Sequence, residues 1–356
     1  MGKPSLVALL VMLLAAACAP GGGDAGVARP PDAAQPPGEA TASPAPLLQK
    51  ITLAYTSLSG SQMPIYLAVE NGLFARHGLD VETPYIASGT VGMQSLLAND
   101  IQFSGGSSAE VAAAHLGGAS PRLLLGWINT FPSLFMVDPS ITTPAQLRGT
   151  SIGVTRLGTQ AHSSARLALK YWGLNPDTDV QYVQLGGVPE ILAGMQVGAV
   201  VGGAFTPPTN IRARRLGFHA LGDLSKMGIP YQATSLVALQ PYVEANPALV
   251  RRLVQALLDG IHLYHTDDAA SRAALAKYTR TEDVEMLDAT IAFYRTIVQR
   301  APYPSLDGLQ TVLDDLTDSN PAARTIEPRQ LVDSRALEQL EAEGYLEHLY
   351  GDRPLR

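Results

Sequence analysis

Four short segments concentrate the side chains able to hold a small polar molecule: "SLSGSQ" (57–62), "ASGT" (87–90), "GGSSAE" (105–110) and "LGTQAH" (157–162). Each sets Ser, Thr or Gln beside Gly, so hydroxyls and backbone N–H groups can face a bound group at close range. The candidate ligand contacts are Ser57 and Gln62 in the first segment and Ser88, Gly89 and Thr90 in the second. The third supplies Ser107 and Ser108, and the fourth Gly158, Thr159, Gln160 and His162. Thr206 and Pro207 of "FTPP" (205–208) are placed to close the site from the other side. Singly, each such Ser or Thr reads as a helix cap and "FTPP" as a rigid turn; the four segments together, each at a strand end, point to a binding site. His162 falls in the first turn of a helix, where an imidazole can donate, accept or carry charge. Arg156 and Glu110 are the nearest fixed charges, so a small neutral or singly anionic organic molecule fits better than a dianion or a peptide.

Catalysis is not expected. No Gly-x-Ser-x-Gly elbow is present; "GGSSA" mimics part of one, with His115 eight positions on reading as a packed or exposed helix residue. "HLYH" (262–265), followed by Asp267 and Asp268, sets two histidines on one helix but lacks a third placed ligand, so neither a metal nor another cofactor is expected.

The elements that must position these loops alternate. "KITLAYTS" (50–57) reads as a strand, and "YLAVENGLFARHGLDVE" (66–82) as a helix stopped at Gly72, one further turn stopped at Gly78, and a second strand. Residues 50–82 thus make one βαβ unit. Helices follow at 91–100 and at "AEVAAAHLGG", capped by Gly117, with strands at 101–106 and 122–128. After a short helix near Pro144 to Leu147, a second series begins: a strand at 151–154, a helix over 160–174 ended by Gly173, a strand at 180–185, and a helix, turn, strand and loop over 189–208. That last order repeats "MQSLLANDIQFSGGSS", which implies two lobes built alike. An apolar strand at 231–239 leads to a helical remainder, with Asn246 and Pro247 as N-cap and first helical position.

The 356 residues allow two lobes, and 46% hydrophobic residues supply their cores. A net charge of -7 gives no footprint for nucleic acid, and Arg212, Arg214 and Arg215 read as a solvated helix face. Lys3 precedes an apolar run from Leu6 to Ala17 that is too short to span a bilayer but suits an export signal over residues 1–17. Cys18, the single cysteine of the chain, follows "LLAAA" and resembles the acylated cysteine of a bacterial lipoprotein signal, although Ala15 stands where that pattern favours Leu. Residues 18–48, rich in Ala, Pro and Gly, read as a flexible tether whose reach is roughly 30 Å.

The ordered set "YLAVENGLFARHGLDVE", "SGT", "LLANDIQFS" and "LRGTSIGV" resembles the substrate-binding proteins of ABC importers of the nitrate, sulfonate, taurine and thiamine-precursor type, from about Lys50 to Leu316. The resemblance implies an α/β, two-lobed type II periplasmic-binding fold: mostly parallel sheets flanked by helices, two crossing strands, and a cleft that closes on its ligand by hinge motion. On that template, residues 50–136 plus 234–320 form lobe 1, residues 137–233 lobe 2, and residues 321–356 a helical C-terminal extension. It also implies a monomer that works with ABC permease subunits, held at the outer face of the membrane or in the periplasm through Cys18. The chain departs from the pattern in having "GAVV", with Val201 in place of an acid, and Phe205 to Pro208 where an aromatic or acidic residue is usual. A sulfonate is the first expected ligand and a heterocycle such as a pyrimidine the second. A ligand-sensing module for a membrane receptor is the alternative role; the cysteine-rich segment of the related yeast pyrimidine-making enzymes has no counterpart here.

Overall fold

The first strand, β1 (Gln49–Tyr55), buries Leu53 and Ala54 and leads through a single 3-10 turn at Gly60–Gln62 into α1 (Met63–Glu70). The computed structural model describes residues 48–351 and 355; the predicted signal peptide, Cys18 and nearly all of the predicted tether lie outside the described residues. Gly72 and Gly78 take the left-handed conformation, with φ of 63° and 73°, and bracket α2 (Leu73–Arg76) before β2 (Leu79–Glu82). β1 and β2 pair in parallel, Gln49 opposite Leu79, which makes the βαβ unit read from the sequence.

Next come α3 (Gly89–Leu97), β3 (Phe103–Gly106), α4 (Ser108–Leu116) and β4 (Pro121–Ile128). α4 is capped at Gly117 as expected, and Gly118, with φ of 89°, makes the left-handed turn after it. The chain then crosses to a second sheet: β5 (Leu134–Val137), β6 (Thr150–Val154), α5 (Gln160–Tyr171), β7 (Val180–Gln184), α6 (Val188–Gln196), β8 (Gly202–Phe205), α7 (Thr209–Arg215) and β9 (His219–Asp223). It returns as β10 (Thr234–Leu239) and continues as α8 (Gln240–Ala245), α9 (Pro247–Thr266), α10 (Asp268–Thr279), α11 (Val284–Arg295), α12 (Leu306–Leu316), α13 (Arg335–Ala342) and α14 (Tyr345–Tyr350). Asn246 precedes α9 as expected, but its side chain donates back to the Tyr242 carbonyl at 2.9 Å instead of capping the helix.

The two five-stranded sheets have the orders β2-β1-β3-β10-β4 and β7-β6-β8-β5-β9. In each, the strand entering from the other lobe, β10 or β5, runs antiparallel to both neighbours, and the rest run alike. This is the mixed, mostly parallel two-lobed α/β fold expected. The chain crosses between the sheets at residues 129–133 and 227–233, and Gln232 ties the second crossing to the end of β4, to β10 and to the start of α12. Its amide donates to the Ile128 and Thr234 carbonyls, both at 3.2 Å, and its Oε1 accepts from the Ser305 N–H at 2.7 Å. A fully buried amide with donors and acceptors matched on both sides fixes the path of the returning chain.

Candidate ligand-binding site

Parallel strands leave their carboxyl ends, and the helix N-termini that follow, at one edge of a sheet. Here those edges face each other. The loops after β1, β2 and β3 and those after β6, β7 and β8, with the crossing residues Ser133 and Ala233 and with Thr234 at the start of β10, enclose a cavity of about 80 Å³, measured as the space open to water-sized centres. One water needs roughly 10–15 Å³ by that measure, so the space suits a small organic molecule.

The first lobe's wall is held by hydrogen bonds made behind it. Tyr66 donates to the Ser57 carbonyl at 2.7 Å, and the buried Trp127 indole donates to the Ser61 carbonyl at 2.7 Å. Thr56 donates to the Gly105 carbonyl at 2.6 Å. Gly105 is required by close approach, because a Cβ there would collide with Gln62 Oε1. The Gln62 amide nitrogen donates to that same Gly105 carbonyl at 3.3 Å, which fixes its orientation; Gln62 lines the cavity, and its Oε1 is buried without a partner among the described residues. The hydroxyls of Ser164 and Thr234, also cavity-lining, are likewise buried without a partner.

Glu110 is the single charged residue among those lining the cavity, and it is 5% exposed. It stands at the N3 position of α4, where the Ser107 N–H donates to it at 2.9 Å and the Ser107 hydroxyl also bonds it. Its other oxygen abuts Gly89 at the start of α3, where a Cβ would collide with it. Burial raises its pKa above the ordinary carboxyl range; Ser107 and the Gln160 N–H at the start of α5 pull it back by stabilising the charged form. Three helix N-termini from two lobes therefore converge on one carboxylate.

Among the candidates, Ser57, Gln62, Ser88, Gly89, Ser107, Thr159, Gln160 and Thr206 line the cavity. The structure does not bring the others to it. Ser108 is fully buried and donates to the Gln232 carbonyl at 2.7 Å, which is a packing role. Thr90 pairs with the Ser88 hydroxyl at 3.0 Å and faces Gly158 across the lobes. The Gly158 N–H donates to His162 Nδ1 at 3.2 Å, and Pro207 is buried in a cis Pro207-Pro208 turn behind Thr206. On α5, Gln160, Ala161 and Ser164 share the cavity face, while His162 and Arg166, one turn apart, share the next face and line a separate groove with Asp177, Tyr182 and Asp315. Burial and the nearby Arg166 lower the His162 pKa to about 4, so it is neutral near pH 7. Arg156 does not line the cavity. Ser61, Ser133, Thr155, Ser164, Thr209 and Thr234 were not singled out in the sequence, and most of them follow no helix-start pattern.

The lobes also touch outside the cavity. Arg166 of α5 donates to Asp315 of α12 at 3.0 Å, and Lys170 bonds Asp315 at 2.5 Å and Asp318 at 2.8 Å. On the other side, Arg212 donates to the Thr279 carbonyl at 3.1 Å and Arg215 pairs with Asp283. These two arginines are thus bridges to the first lobe, not the plain solvated face expected of them. His265 of "HLYH" bonds the Val298 carbonyl at 3.1 Å; among the described residues no cluster of three or more His, Cys, Asp or Glu is arranged to hold a metal.

This architecture recurs in solved structures. A protein from Bordetella bronchiseptica RB50 aligns with a TM-score of 0.72 at 20% identity, covering 83% of this chain and 97% of that one. The alkanesulfonate-binding protein SsuA from Xanthomonas axonopodis pv. citri, bound to MOPS, aligns with 0.65 at 18% identity (81% and 97% covered). The periplasmic nitrate-binding protein NrtA from Synechocystis PCC 6803 aligns with 0.65 at 14% identity (88% and 93% covered). No curated protein matches the sequence. The family model described as NMT1/THI5 like matches residues 60–270, more than half of the chain, and the chain belongs to that family.

Proposed function

We propose that this chain is an extracytoplasmic solute-binding protein that captures a small organic molecule between its lobes and passes it to the permease of an ABC importer. One observation carries the reading: the cavity is walled by strand-end loops of both sheets, so a molecule inside it touches both lobes at once. Such a ligand binds the closed form better than the open one, and that difference in affinity drives closure. Family membership and the likeness to the alkanesulfonate-binding protein SsuA and the nitrate-binding protein NrtA support the same role.

The reading asks no bond-making step of the lining. Delivery at a membrane rests on the export signal, on Cys18 as the acylated residue and on the tether of residues 18–48, and the lobe built on the second sheet, from Leu134 to Asp223, is the part that moves. The test is a thermal-shift screen of small nitrogen and sulfur nutrients, followed by scattering on any hit. One-to-one binding with ligand-dependent compaction is the expected result, whereas turnover of the hit into product would replace binding by catalysis.

A further inference from the structure

A site for a sulfonate or nitrate would offer the anion unpaired N–H groups at helix N-termini. In this cavity a carboxylate already stands beside those helix starts. The Glu110 carboxylate lies against Gly89 at the start of α3, accepts from the Ser107 N–H at the start of α4, and is stabilised by the Gln160 N–H at the start of α5. A second anion there would meet a fixed carboxylate in a buried, weakly screened space, with no Lys, Arg or His among the lining residues to offset it.

The remaining fixed polar atom points the same way. Gln62 is 2% exposed, and its Oε1 is an acceptor whose orientation is set by the bond from its amide nitrogen to the Gly105 carbonyl. A buried acceptor with no partner is unfavourable unless a ligand donates to it. The Ser164 and Thr234 hydroxyls, which donate or accept by rotation, adapt to either kind of group.

Resting on the solute-binding reading, we infer that the ligand is a small N–H-bearing molecule, neutral or cationic, that donates to Gln62 Oε1 and lies beside the Glu110 carboxylate, and that anionic sulfonates are excluded. Amides, amidines and amino-substituted heterocycles belong to this class. The sulfonate expected first from the sequence falls outside it.

The experiment measures thermal stabilisation and calorimetric binding at fixed ionic strength with urea, acetamidine and cytosine as N–H probes, and methanesulfonate, ethanesulfonate and nitrate as anions. Saturable stabilisation of the wild type by at least one N–H probe and by no anion is expected. Gln62→Leu should weaken that binding tenfold or more, and Glu110→Gln should admit an anion that the wild type rejects. Should Glu110→Gln fail to fold, the wild-type selectivity and Gln62→Leu still decide. Stabilisation by the anions alone would overturn the ligand class while leaving the solute-binding reading in place. Stabilisation by neither set would overturn the ligand class and count against the cleft as a solute site.

Discussion

Glu110 and Gly89 are so close that any side chain at position 89 would displace the carboxylate around which the α3, α4 and α5 N-termini gather. Gly89→Ala should therefore lower stability by about 1–3 kcal/mol, as overpacking in a dense site does. Shortening the acid in the double variant Gly89→Ala with Glu110→Asp should recover part of that loss. A double-mutant cycle by denaturant unfolding reads the coupling, and strictly additive losses would mean that the two residues do not share this space.

The Arg166 to Asp315 bond joins the lobes with both side chains nearly buried, at 8% and 6% exposure. Asp315→Asn removes the charge that Arg166 and Lys170 share but leaves Arg166 paired with Asp177. A loss of about 1–3 kcal/mol follows for a charge-assisted bond. Scattering should also show a more open molecule; an unchanged radius would deny this pair a part in closure.

His162 and His265 are both held neutral, their pKa lowered to about 4 by burial and by neighbouring arginines. The unfolded chain takes up protons on these rings near pH 6.5 and the folded chain only near 4, so stability falls as pH drops through that window. For His162 the full effect is about 3 kcal/mol. Glu110, its pKa raised by burial, acts in the opposite sense: its contribution is present in acid and declines as pH rises. Melting temperatures between pH 7 and pH 4 should fall less steeply in His162→Gln than in the wild type.

Much of this was legible in the sequence because glycine and hydroxyl residues mark where a chain turns. Gly72 and Gly78 located two helix ends and a strand start, and the Ser, Thr and Gln residues beside glycines located the strand-end loops that wall the cavity. What failed was direction. His162 sits two positions from Gln160, and two positions on a helix is a different face. Glu110 was noted only as a nearby charge, although Ser107-x-x-Glu110 is a capping-box spacing that would have placed its carboxylate at a helix N-terminus. β9 was missed because every one of its residues is half-buried and no alternation marks it. Ser133, Ser164 and Thr234 reach the cavity from a crossing, a helix interior and the start of a returning strand, positions that only tertiary structure brings together.

The proposed anchor is Cys18. Cys18→Ser should leave the folded body intact and release it from the membrane fraction. A mature chain that begins at Cys18 without acyl groups, seen by mass spectrometry, would reject the anchor.

The central claim is that one small solute is held by both lobes of the cleft. Isothermal calorimetry on the best hit of the nutrient screen, with wild type, Gln62→Leu from the first lobe and Ser164→Ala from the second, tests it most directly. The account predicts one-to-one binding, a tenfold or greater loss in Gln62→Leu and a smaller but measurable loss in Ser164→Ala, with both variants folded. Equal affinity for all three proteins would contradict it.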